Sequence, residues 1–177
     1  MFDVFDNKPR QSRPVTPVII SIVGHAVLVL RTFSKMYGLA GLRVGYGIGA
    51  PELVTALSKV RRAFDVNQQA QAAALASLDS PEEVKRRRRV NAEGLAQLER
   101  VLREHGFDPA TPAVTNFLFF QVGDAATAFF EQLLREGVIV RPMGAFGAPG
   151  AIRVTVGTPE ENEFFAQALG KVLAHAR

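Results

Sequence analysis

The amino-acid sequence predicts an α/β protein with helices packed on a small sheet, and three observations predict it. Short apolar, β-rich runs alternate with helical segments; proline-led, acidic stretches open two of those helices; and glycines close several segments. From residue 81 the order reads helix, strand, helix, strand, strand, helix, which suits a compact α/β domain. Residues 31 to about 80 belong to a separate part, a strand and helices with too few partners of their own.

The elements follow from local chemistry. "AVLVL", residues 26–30, reads as a strand, Val27 to Leu30 being a buried one, followed by a loop from Arg31 to Gly41 and the glycine-interrupted extended stretch "LRVGYGIGA". Ala50-Pro51-Glu52 opens a helix over 52–62, because proline at the first helical position loses no hydrogen bond. Asn67 is placed to cap a second helix, "QQAQAAALASL", whose alanines favour helix and close packing.

Ser80-Pro81-Glu82-Glu83 reads as a third start, a serine cap with a glutamate three residues on to reach back to it, and Gly106 stops the helix after His105. "VTNFLFFQV", residues 114–122, is a buried strand. A helix runs from Asp124 to Glu136 and ends at Gly137. "VIVRP" and "AIRVTVG" are two short strands joined by a connection containing Gly144, Gly147 and Gly150. Thr158-Pro159-Glu160-Glu161 repeats the capping device and opens a last helix to about Ala174.

Composition narrows the chemistry. The chain has no cysteine, which excludes disulfides, zinc-thiolate sites and thiol nucleophiles. Its net charge of +4 is locally distributed, in Lys8, Arg10 and Arg13 and in "KRRRR", residues 85–89. No aromatic side chains interleave with that run, so it reads as a solvated helix face, and no nucleic-acid partner is expected. Residues 14–30, "PVTPVIISIVGHAVLVL", carry no formally charged side chain. They outline a candidate anchor, which would tether the chain to the inner membrane, but the run is short for a bilayer span and holds Pro17, Gly24 and His25. Otherwise residues 1–26 form an atypical leader or tail, His25 is a packing residue, and the protein is cytoplasmic.

The chemistry concentrates in "VLRTFSKMYGLAGLRVGY", residues 29–46. Hydroxyls and backbone N–H groups of such a loop suit a phosphate, and an arginine adds an always-charged, bidentate contact. Thr32, Ser34 and Arg43 form a candidate cradle. Lys35 between them, kept partly dry by Tyr37, Leu39 and Leu42, is a candidate amine nucleophile toward a carbonyl. Read without further context, the same residues are an exposed loop lysine and a surface arginine.

"TFSKMYGLAGLRVGY" resembles the cofactor-lysine segment of fold-type I, pyridoxal-phosphate-dependent aminotransferases, and specifically the histidinol-phosphate aminotransferase family. The resemblance continues, in order, through "NQQAQAAALASL", "TNFLFF", "GVIVRPM" and "AIRVTVGTPEEN", covering about residues 27–177. It implies a partial fold-type I transferase. Residues 27–80 would be the remnant of the cofactor-binding large domain, and residues 81–177 the small carboxy-terminal α/β domain.

It further implies pyridoxal 5'-phosphate as cofactor and no metal. Lys35 would condense with the cofactor aldehyde; Ser34 and Arg43, with Thr32 nearby, would hold its phosphate. Arg153 would receive the carboxylate of an amino or keto acid, and Arg141 the substrate's acidic tail. Asn116 would approach the site from the small domain. The implied reaction is transamination between histidinol phosphate and 2-oxoglutarate in histidine biosynthesis, with aromatic amino acids, which closely related aminotransferases accept, as the alternative substrates; such enzymes are usually homodimers. The family's segments bearing the aspartate for the pyridine nitrogen and the ring-stacking residue have no counterpart in these residues. The expectation is therefore a truncated form of the enzyme, or alternatively a non-catalytic truncation or fusion product.

Overall fold

The computed structural model describes residues 27–175. The leader and His25 lie outside them, as does all of the candidate anchor except its last four residues. Among the described residues no helix is long and apolar enough to cross a membrane. The chain forms two compact units, one up to Pro81 and one from Glu82.

In the first unit β1 (Leu28–Thr32) pairs antiparallel with β2 (Gly45–Gly49), with Leu28 opposite Gly49 and Thr32 opposite Gly45. The expected strand is present but displaced, running on through Arg31 and Thr32, which were expected in the loop, and it is not buried: Leu30 is 72% exposed. A two-stranded ribbon has little surface to bury its side chains against. Helix α1 (Pro51–Val60) stops two residues short of the expected end and has no buried residue. Helix α2 (Gln68–Leu78) has the expected bounds, and the Asn67 side-chain oxygen accepts the N–H of Ala70 at 2.8 Å. Its Ala70 and Ala74 are buried with Phe33 and Val44, and Tyr37, Leu39, Leu42, Tyr46 and Val66 pack around them.

The second unit begins with α3 (Pro81–Glu104), which turns Leu95, Leu98, Val101 and Leu102 inward at helical spacing. Gly106, at φ +83°, ends it as expected. Strands β3 (Phe117–Gln121), β4 (Arg141–Pro142) and β5 (Ala151–Thr155) form an antiparallel sheet in the order β3-β5-β4. Leu118, Phe120, Ile152 and Val154 are buried with residues of α3, α4 (Ala126–Arg135) and α5 (Pro159–His175). All three strands are shorter than expected, β5 ending at Thr155 where the expected strand runs to Gly157. Val114 is 89% exposed ahead of β3, which pairs with the whole of β5 and ends with it, while β4 pairs only through Arg141 and Pro142, opposite Arg153 and Ile152.

The two proline-led starts differ. At α5 the Glu161 carboxylate accepts the Thr158 N–H at 2.7 Å while Thr158 Oγ1 accepts the Glu161 N–H at 3.2 Å, a complete capping box. At α3 no such box forms. Ser80 donates its hydroxyl to the Ala76 carbonyl, and Glu83 accepts from Arg86 and Arg87 instead. Those arginines, Arg86 first, hold the Glu83 carboxyl down at about 2. The basic run is accordingly laced to its own helix, with Lys85 near Glu82 and Arg89 near Glu93, each at 3.9 Å.

Candidate active site

The lysine loop is built around Phe33. Its N–H donates to the Val44 carbonyl at 3.2 Å and its carbonyl accepts from Leu39 at 3.0 Å, so the chain leaving β1 and the chain entering β2 are clasped at one buried ring. Tyr37 and Tyr46 flank that ring, at centroid distances of 4.9 and 5.9 Å. Ser34 and Lys35 follow Phe33 directly, and Arg43 precedes Val44, so the clasp brings their backbones to one end of the ribbon.

The side chains are arranged less simply than the residue types suggest. Thr32 Oγ1 accepts the Ser34 N–H at 3.0 Å, so that N–H is already engaged within the loop. Arg43 stands at φ 51°, in the left-handed region, and its Nη1 donates to the Ala40 carbonyl. Its remaining N–H groups, the Ser34 hydroxyl and the Lys35 amine have no hydrogen-bond or ion-pair partner among the described residues. Lys35 is exposed. The expectation that Tyr37, Leu39 and Leu42 would keep it dry is corrected: all three pack against the Phe33 cluster instead. The free donor set of Ser34, Lys35 and Arg43 fits an anionic phosphate ester bearing a carbonyl.

The second group lies on the sheet of the other unit. Arg141 on β4 stands directly opposite Arg153 on β5, and Phe119 on β3 faces Arg153 from the other side. Directly opposed like charges on neighbouring strands destabilise a sheet. Arg153 Nε is nevertheless buried with no hydrogen-bond partner, the kind of donor that native structures rarely leave unmet. Arg153 makes one other contact of note, with its guanidinium over the Phe117 ring at 4.8 Å from the centroid. Both arginines line a hollow of about 350 Å³ with Phe130, Ile139, Pro142 and Thr155. Asn116 is tied into the same sheet through its backbone, its carbonyl accepting the Val156 N–H at 2.9 Å. Phe117 is a residue that sequence reasoning missed; only strand register puts it beside Arg153.

Among the described residues no group of three or more His, Asp or Glu side chains could hold a metal ion.

A lysine loop offering free donors and an arginine pair lining a hollow are the features to set beside known proteins. The family profile "Aminotransferase class I and II" matches residues 10–169. The chain belongs to the class I and II aminotransferases. That match begins at residue 10, within the stretch expected to be an atypical leader or tail. The chain is 47% identical over 150 residues to histidinol-phosphate aminotransferase 2 of Pseudomonas fluorescens, which covers 85% of this chain and 40% of that protein. It is 44% identical over 169 residues to histidinol-phosphate aminotransferase of Symbiobacterium thermophilum, covering 96% of this chain and 45% of the relative. In structure it resembles histidinol-phosphate aminotransferase from Sinorhizobium meliloti, solved in complex with pyridoxal-5'-phosphate. There the TM-score is 0.80 at 31% identity, over 85% of this chain and 42% of that one. The mixed α/β fold is that of a fold-type I aminotransferase in part, and the chain spans about two-fifths of the length of these relatives.

Proposed function

We propose that this chain carries the lysine loop and the substrate-anion sheet of a pyridoxal-phosphate-dependent aminotransferase acting on histidinol phosphate and 2-oxoglutarate in histidine biosynthesis. The observation that carries this reading is the opposed pair Arg141 and Arg153 beside a hollow, with a buried Arg153 Nε that no described group satisfies. A doubly cationic, unpaired site is suited to an anionic substrate. The names of the relatives supply the rest.

In this reading Ser34 and Arg43 hold the cofactor phosphate, with Thr32 bracing Ser34 through its N–H. Lys35 is the point of covalent attachment. Bound there, pyridoxal phosphate supplies an electron sink for the α-carbon of an amino acid. Lys35 Nζ, released as a free amine when the substrate amine takes its place, would be the base that takes the α-proton and the acid that returns it. Arg153 binds the α-carboxylate and Arg141 the substrate's distal phosphate, and Asn116 supports that sheet from the start of β3.

Attachment tests the reading without requiring turnover. The chain is mixed with pyridoxal phosphate, reduced with borohydride and mapped by mass spectrometry. A pyridoxyl group confined to Lys35, lost in Lys35→Ala and formed at roughly tenfold higher cofactor concentration in Arg43→Ala, is expected. Adduct spread over many lysines, or unchanged in Lys35→Ala, would sink it.

A further inference from the structure

Arg153 poses a physical problem that the functional reading leaves open. A long, flexible, charged side chain stands directly opposite a second arginine, with no carboxylate or carbonyl among the described residues to hold it. Such a side chain loses rotamer freedom when it is fixed, and its nearest cross-strand charge repels it. It is still placed, with its Nε enclosed and its guanidinium carbon 4.8 Å from the centre of the Phe117 ring.

We infer that Phe117 is a positioning residue for Arg153, holding the guanidinium by its face so that its in-plane N–H donors stay free for a carboxylate. This rests on the proposed role of Arg153 as an anion receptor. The argument is geometric. An acidic partner would fix an arginine through its N–H edges, the same donors that a substrate carboxylate needs, and would cancel its charge. An aromatic ring engages the π face and leaves the fork of donors and the charge available. Register makes the contact dependable: Phe119 is directly opposite Arg153, and Phe117, two residues away on the same side of β3, is its diagonal neighbour opposite Thr155. That separation is within reach of an aromatic ring and a long side chain. The cost of ordering Arg153 is thereby met in the fold, before any ligand arrives.

The test uses the full chain and 2-oxoglutarate as the probe. The enclosed Arg153 Nε–H is followed by ¹H–¹⁵N NMR, and affinity is measured by calorimetry. In the wild-type chain the Nε–H signal is expected upfield of its free position, displaced by the ring current of Phe117. Phe117→Leu and Phe117→Met should abolish that displacement and weaken 2-oxoglutarate binding roughly three- to tenfold, while Phe117→Tyr keeps both within about twofold. Arg153→Lys should lose most of the binding. If the Leu and Met variants bind like the wild type while Arg153→Lys does not, the positioning role is overturned and the anion site stands. If Arg153→Lys also binds like the wild type, the anion site falls, and the inference with it. Should neither Phe117 variant fold, a wild-type Nε–H signal at its free position overturns the inference by itself.

Discussion

The two units of this chain bury their side chains in different ways. In the second, sixteen buried hydrophobic residues, from three helices, a sheet and Val140 just ahead of β4, join in one core among the described residues; in the first, the buried cluster is Phe33, Val44, Ala70 and Ala74. The first unit also displays Val60 and Phe64, the latter 97% exposed at φ 63°. The difference teaches how each candidate site is held. The arginine pair sits on a sheet backed by a complete hydrophobic layer, so strand register fixes it. The lysine loop is held by backbone hydrogen bonds around one phenylalanine.

The sharpest way to break this comparison is to delete equal apolar volume in each unit. Leu98, fully buried in α3, should cost about 2–5 kcal/mol on replacement by alanine, whereas the exposed Leu57 of α1 should cost under about 1 kcal/mol, both read by urea unfolding. Equal losses would show that the apolar side of α1 is covered in solution.

Glycines give the next contrast. A Cβ at Gly94 would come 2.4 Å from Val156 Cγ1 and 3.2 Å from the Asn162 amide, in a helix packed on the core. Gly94→Ala is therefore expected to lower stability by about 1–3 kcal/mol by overpacking. Gly41 has open space around its Cβ position, so Gly41→Ala should leave the melting temperature within a degree or two, on the order of 0.5 kcal/mol or less.

The smallest effect separates the two proline-led helix starts. Thr158→Ala removes half of a formed capping box and should cost about 1 kcal/mol. Ser80→Ala removes a hydroxyl bonded back to α2, and should cost only a few tenths on the same principle. Matched thermal melts would rank them, and a reversed ranking would contradict the capping geometry.

Much of this was legible residue by residue. The bounds of α2, the stop at Gly106 and the start of α5 all depend on a cap or glycine acting within a turn of its own position, and each appears where expected. The other strands were read too long and β1 was read too early, because an apolar run such as "VIVRP" records a preference for burial and does not say which residues a partner strand will meet. Ser80 failed as a cap for a related reason. Glu83 had two better partners in Arg86 and Arg87, and local pattern matching does not weigh competitors.

At the candidate site, residue type marked Lys35, Ser34 and Arg43 as candidates, while an exposed loop lysine and a surface arginine fitted equally until the family resemblance was drawn. It misjudged the surroundings of Lys35, since neighbours in sequence need not share a side of a loop.

By itself the amino-acid sequence determined which chemistry this chain can offer: an amine, hydroxyls and guanidinium groups in a recognisable order, on helices and strands set by short-range caps and apolar periodicity. Only the tertiary structure decided that Arg141 faces Arg153, that Phe117 lies against that guanidinium and that Lys35 stays in solvent. Strand register and burial arise from contacts between residues far apart in the chain, and those contacts exist only once the backbone has closed around them.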